Sequence, residues 1–139
     1  MRKLIKDNLI TSSILILRNS EGVLSKEASA FLLSLIQKAR RQDKLQMVNL
    51  GIVDALAEAC LKAIDDQSHC MKLLDITIHL LDAGLEESVM SNSPYHVAEL
   101  MLNSYCLDAI EKLSHSANRD ISNYATEVLN YFFDSDKFT

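Results

Sequence analysis

Gly51-Ile52-Val53-Asp54-Ala55-Leu56 lies near the middle of the chain and sets its period. Its pattern, an Ile after the glycine and a Leu four residues beyond that Ile, has a counterpart 42 residues upstream in Leu9-Ile10 with Ile14. Tyr105-Cys106 with Ile110 repeats the pattern 54 residues downstream. The longer second interval contains Gly84-Leu85-Glu86-Glu87-Ser88 and Ser91-Asn92-Ser93-Pro94, where turn-forming residues concentrate and a longer loop is predicted. A period of about 40 to 47 residues belongs to helical repeats, whose single units cannot bury their own apolar stripes.

Each copy opens a helix that is followed by a polar break and a longer helix. The breaks are Asn19-Ser20-Glu21-Gly22, Asp65-Asp66-Gln67-Ser68 and Ser114-His115-Ser116-Ala117-Asn118. Behind them run stripes at helical spacing: Ala28, Phe31, Leu32, Leu35 and Ile36, then Met71, Leu74, Ile78 and Leu81, then Ile121, Tyr124, Ala125, Val128, Leu129 and Phe132. Long helices are thus predicted near 26–41, 68–82 and 118–133, lining one concave face. Short helices are predicted over 42–49 and 94–104, the first ended by Gly51 in a left-handed turn and the second opened by Pro94 with Ser93 as cap. Short helix, sharp turn, medium helix, break and long helix make the three-helix armadillo unit rather than the two-helix HEAT unit. The predicted fold is all-α, an armadillo-repeat superhelical solenoid of about three repeats. The chain is read as one domain over 1–139, with units near 1–41, 42–83 and 94–133 and a flexible tail at 134–139.

Composition agrees with this and narrows the function. Three Gly and one Pro in 139 residues leave little material for hairpins, and 48% hydrophobic residues suffice for a core. A net charge of −5 opposes nucleic-acid binding, which draws on clustered Lys and Arg. The longest apolar run, Leu9 to Leu17, is short of the roughly 18 residues that suggest a membrane span. Arg2-Lys3 ahead of that run imitates a signal peptide without the small-residue cleavage site, so an intracellular chain is expected. Cys60, Cys70 and Cys106 are odd in number and widely spaced, which fits reduced core cysteines better than disulfides. Neighbouring His69-Cys70 diverge by about 100° on a helix, with no C-x-x-C beside them, so neither metal nor cofactor is expected.

The last third of the chain resembles the C-terminal armadillo repeats of importin-α, the adaptor that binds nuclear localisation signals. The resemblance rests on Ser93-Pro94-Tyr95, Ala98-Glu99-Leu100, Leu107-Asp108-Ala109-Ile110-Glu111-Lys112-Leu113, His115, Asn118 and Tyr131-Phe132-Phe133. Upstream it extends through Val48-Asn49-Leu50-Gly51-Ile52-Val53-Asp54-Ala55-Leu56 and Lys26-Glu27-Ala28, so that the chain is similar to the family's last three repeats. The resemblance implies partner-binding positions on the concave face: Ala30, Ser34 and Gln37, then Asp75 and His79, then Asn123, Glu127 and Asn130. The family holds basic peptides with ladders of Trp and Asn. This chain has no Trp, and Ala30 and Ser34 stand where one rung's Trp and Asn would fall. The implied partners are therefore an export receptor, a nucleoporin or folded cargo rather than a classical basic signal, and the implied location is cytoplasm and nucleus. A generic armadillo or HEAT scaffold without a transport role is the alternative.

No catalytic constellation accompanies these features. Serines lie near His69, His79 and His115, but G-x-S-x-G, H-E-x-x-H and a Gly-rich phosphate loop are all missing, so an enzyme is not expected. Asp65-Asp66 and Glu86-Glu87 read as solvated loop pairs. Lys38, Arg40, Arg41 and Lys44 read as cations at the end of a long helix, complementing its negative terminus. Phe132 is expected to close the last unit's core, and Phe138 to lie in the tail. The first unit, lacking a neighbour, is expected to expose Ile5, Leu9, Ile10 and Ile14 and to allow self-association.

Overall fold

The structure, a computed structural model, describes residues 3–63, 66–92, 94, 96–103 and 106–132. Among these residues every regular element is helical: α1 (Lys3–Asn19), α2 (Gly22–Lys38), α3 (Arg41–Asn49), α4 (Ile52–Lys62), α5 (Gln67–Ser91), α6 (His96–Asn103), α7 (Cys106–Ser114) and α8 (Arg119–Phe132). Helices α1, α4 and α7 pack in sequence, α1 on α4 and α4 on α7; α2, α5 and α8 form a second such row. Rungs between the rows are α1 with α2, α4 with α5 and α7 with α8, while the short α3 and α6 both lean on α5. The expectations placed on Ile5, Ser93, the side chain of Phe132, Phe133, Phe138 and 134–139 lie outside what is described.

Local chemistry explains where the helices start and stop. Gly51 adopts φ 96°, the left-handed turn that separates α3 from α4. The Asp66 carboxylate caps α5 by accepting from the His69 backbone N–H at 3.2 Å, and its other oxygen meets Lys26 Nζ of α2 at 2.5 Å. Asn118 Oδ1 accepts from the N–H groups of Asp120 and Ile121 to open α8, and Ser122 Oγ ties α8 back to the Ser114 carbonyl.

Three expectations change. Gly84-Leu85-Glu86-Glu87-Ser88 is not a loop: α5 runs through it to Ser91. Ala83 and Gly84 are buried there, and packing against α3 and α6 outweighs a glycine penalty of about 1 kcal/mol. The basic cluster does not sit on one helix end. Lys38 closes α2, Arg40 is the residue before α3, and Arg41 and Lys44 belong to α3, where they reach α5 through Glu87 at 3.2 Å and His79 at 3.3 Å. Ile10 and Ile14 are buried, because α1 packs on both α2 and α4; Leu9 is exposed as expected, and Leu15, Ile16, Val23, Leu24 and Phe31 are exposed beside it on the first two helices.

The core is continuous from Ile10 to Val128. α5 contributes Leu73, Leu74, Ile76, Leu80 and Leu81, all shut off from solvent. Truncating any of them to alanine removes about 2–5 kcal/mol, the usual cost of a cavity in a close-packed interior. α2 packs on α1 and α5 and buries Ser25, Ala28, Ser29, Leu32 and Ile36; the Ser29 hydroxyl returns to the Lys26 carbonyl at 2.8 Å, and the Lys26–Asp66 pair marks the seam with α5.

His69 is the buried histidine of this seam, and its Nε2 meets no hydrogen-bond partner among the described residues. Burial holds its pKa below the ordinary 6.5, with the Asp66 carboxylate opposing and Lys26 and Lys72 assisting. His79 is lowered too, by burial and then by Lys44. A lowered folded-state pKa means that the unfolded chain binds protons first, so this stability is complete above pH 6.5 and is lost as pH falls towards the folded values. Asp66, lowered from 3.8 by its Lys26 hydrogen bond, acts only in stronger acid. The melting temperature should therefore fall between pH 7 and pH 5, and a His69→Gln variant should show a flatter profile; a wild-type melting temperature constant over that range would contradict this account.

Candidate functional site

Helices α5 and α8 lie side by side with a groove of about 630 Å³ along them. Ile78 and Asp82, four residues apart on α5, supply one part of the lining. Tyr124, Glu127, Val128, Asn130 and Tyr131 of α8 supply the rest, with Tyr124, Glu127 or Val128, and Tyr131 recurring on one helical face. The volume is within the range of about 300–1,000 Å³ typical of recognition clefts.

Polar ties fix the walls. Tyr124 Oη of α8 donates to Asp75 Oδ1 of α5, and burial together with that carboxylate pushes the phenol pKa up, so it stays a donor. Asp75 is in turn one helical turn from His79, whose Nδ1 lies 3.3 Å from Lys44 Nζ of α3. Nearer the solvent, Gln67 Nε2 reaches Asp120 Oδ2 at 3.3 Å and joins the first turns of α5 and α8. The Asp82 carboxyl is raised above its ordinary value by partial burial and then by Glu86, with His79 and Lys44 opposing.

The eight positions singled out from sequence are distributed unevenly around this groove. Glu127 and Asn130 line it, and Asp75 anchors its Tyr124 wall. His79 is half-buried and engaged with Lys44, while Asn123 is exposed outside the lining. Ala30, Ser34 and Gln37 are exposed on α2 and belong to no part of the α5–α8 groove. Ile78, Asp82, Tyr124 and Tyr131 were not among those eight. None of the eight is aromatic, but Tyr124 and Tyr131 line the groove beside Glu127 and Asn130. Their spacing with Glu127 on α8 was the available signal, but Tyr124 had been placed in the core stripe and is only half-buried.

The cysteines belong to the interior, not to this site. Cys60, Cys70 and Cys106 are buried, and Cys70 Sγ donates to the Ala63 carbonyl at 2.8 Å. Burial, then Asp54, pushes the Cys106 thiol up to about 12, and burial followed by Cys106 and Cys70 raises Cys60 strongly. Thiols held protonated this way are poor nucleophiles and poor metal ligands. No group of three or more His, Cys, Asp or Glu side chains that could hold a metal occurs among the described residues, and no helix among them is long and apolar enough to cross a membrane.

No family model matches the chain, and no curated protein is significantly similar to it. Geometry is therefore what the site must be judged on. Tyr124→Phe deletes one hydrogen bond and leaves the ring, so unfolding in urea should show a loss of about 0.5–1.5 kcal/mol with an unchanged m-value. A neutral result would mean that the Tyr124–Asp75 tie does not hold α8 to α5.

Proposed function

We propose that the chain is an armadillo-type solenoid and acts as a protein-binding module, related to the C-terminal repeats of importin-α. The two rows of helices, α1–α4–α7 and α2–α5–α8, joined through the pairs α1–α2, α4–α5 and α7–α8, support the repeat reading. The open groove between α5 and α8 carries the binding reading: it is apolar in part, rimmed by carboxylates and Tyr131, and lies between the last two units. A folded partner, in the class of an export receptor, nucleoporin or cargo, contacts this surface, and the chain serves cytoplasm and nucleus without catalysis.

Capture from nuclear lysate with wild type and an Ile78→Glu variant tests the module. Enrichment of export receptor or nucleoporins by the wild type, lost in the variant, is the expected outcome. A wild-type capture without transport factors that still depends on Ile78 favours a scaffold outside transport, and capture indifferent to Ile78 rejects the groove.

Signal peptides supply a separate test. Ala30 and Ser34 are exposed on α2 and offer neither a ring face nor a bridging amide. A Lys-rich peptide there forgoes roughly 0.5–2 kcal/mol of cation–π attraction per rung. Fluorescence anisotropy should find weak binding to the unmodified chain and recovery in Ala30→Trp with Ser34→Asn; tight binding by the wild type would reject the proposed loss.

A further inference from the structure

Among the residues lining the α5–α8 groove the chemistry is sorted by type. Ile78 and Val128 are aliphatic, Tyr124 and Tyr131 bring aromatic rings, Asp82 and Glu127 bring carboxylates, and Asn130 brings an amide; no basic residue is present. Neither carboxylate forms an ion pair among the described residues. Lys44, whose field reaches Asp82, lies outside the lining and has its ammonium 3.3 Å from His79 Nδ1. The whole chain carries a charge of −5, so the long-range field also draws cations.

We infer that this groove receives an arginine side chain presented by a protein partner, an inference that rests on the protein-binding reading above. Each part of an arginine has a counterpart here. Its aliphatic stem matches Ile78, the face of its guanidinium matches a tyrosine ring, and its N–H fork matches Asp82, Glu127 and the Asn130 carbonyl. Lysine uses the same stem contacts, but its ammonium is compact, more strongly hydrated and cannot stack, so arginine is preferred. Tyr131 is 56% exposed. The Asp82 carboxyl, already held above its ordinary value, gains a counterion when the guanidinium arrives.

The test uses the isotope-labelled full chain in an NMR titration with acetyl-Gly-Arg-Gly-amide and with its citrulline counterpart, which keeps the stem and a planar urea without the charge. Saturable shifts at the amides of Ile78, Asp82, Tyr124, Glu127 and Tyr131 are expected for the arginine peptide. Citrulline should bind about 3- to 30-fold more weakly. Asp82→Asn with Glu127→Gln, two exposed positions, should bring the arginine peptide down to the citrulline level while the melting temperature is kept. Equal binding of the two peptides, arginine binding unchanged in the double variant, or shifts scattered over the acidic surface overturns the inference. Lysate capture that depends on Ile78 would then leave the protein-binding reading in place, so the two can fail separately.

Discussion

Five of the other helices lean on α5. It is 25 residues long and touches α2, α3, α4, α6 and α8, so it is covered on several sides where an ordinary surface helix is covered on one. Such a helix has to be apolar around most of its circumference, and Leu73, Leu74, Ile76, Leu80 and Leu81 make it so. Two of its buried polar groups are served locally, Thr77 Oγ1 donating to the Leu73 carbonyl and Cys70 Sγ to the Ala63 carbonyl, whereas His69 Nε2 meets no partner among the described residues. Charged and polar side chains are left to the strips between neighbouring helices, where Lys44, Arg41, Gln67 and Tyr124 tie them to α5.

That same burial decides which sequence signals could be read. Gly51 announces itself because a glycine just after a short helix reads as its left-handed end, and φ 96° is what the chain adopts. The stripe through Leu74 and Leu81 was equally clear, as both are buried. Ile76, Thr77 and Leu80 fell outside a single stripe, since a pattern drawn for one buried face cannot register a helix packed on several. Gly84 misled for a related reason. A breaker weighed by intrinsic preference alone signals a loop, whereas packing from α3 and α6 keeps the helix going.

The groove was half visible. Glu127 and Asn130 followed from the resemblance to a family that binds on its long helices, and both line it. Tyr124 and Tyr131 did not: Tyr124 reads as part of the core stripe on an amphipathic helix, and Tyr131 enters only through the aromatic end that carries the resemblance. Only the tertiary placement of α8 against α5 turns Tyr124 towards Asp75 and leaves Tyr131 at the surface. The division between recognition and packing thus runs along α8: Ile121, Ala125 and Val128 are buried, while Glu127, Asn130 and Tyr131 are exposed.

The Asp66 carboxylate has an effect beyond capping. One oxygen holds the first turn of α5 and the other holds Lys26 on α2, so the two helices share a single anchor. Each contact is modest by itself, about 1 kcal/mol for the cap and less for a partly exposed ion pair. Sharing makes them inseparable. Fraying of α2 releases Lys26 and leaves the cap without its counterion, and loosening of the cap withdraws the charge that holds α2. Energetic changes at Lys26 and at the start of α5 are consequently non-additive, and the contact between α2 and the start of α5 opens cooperatively rather than one helix at a time.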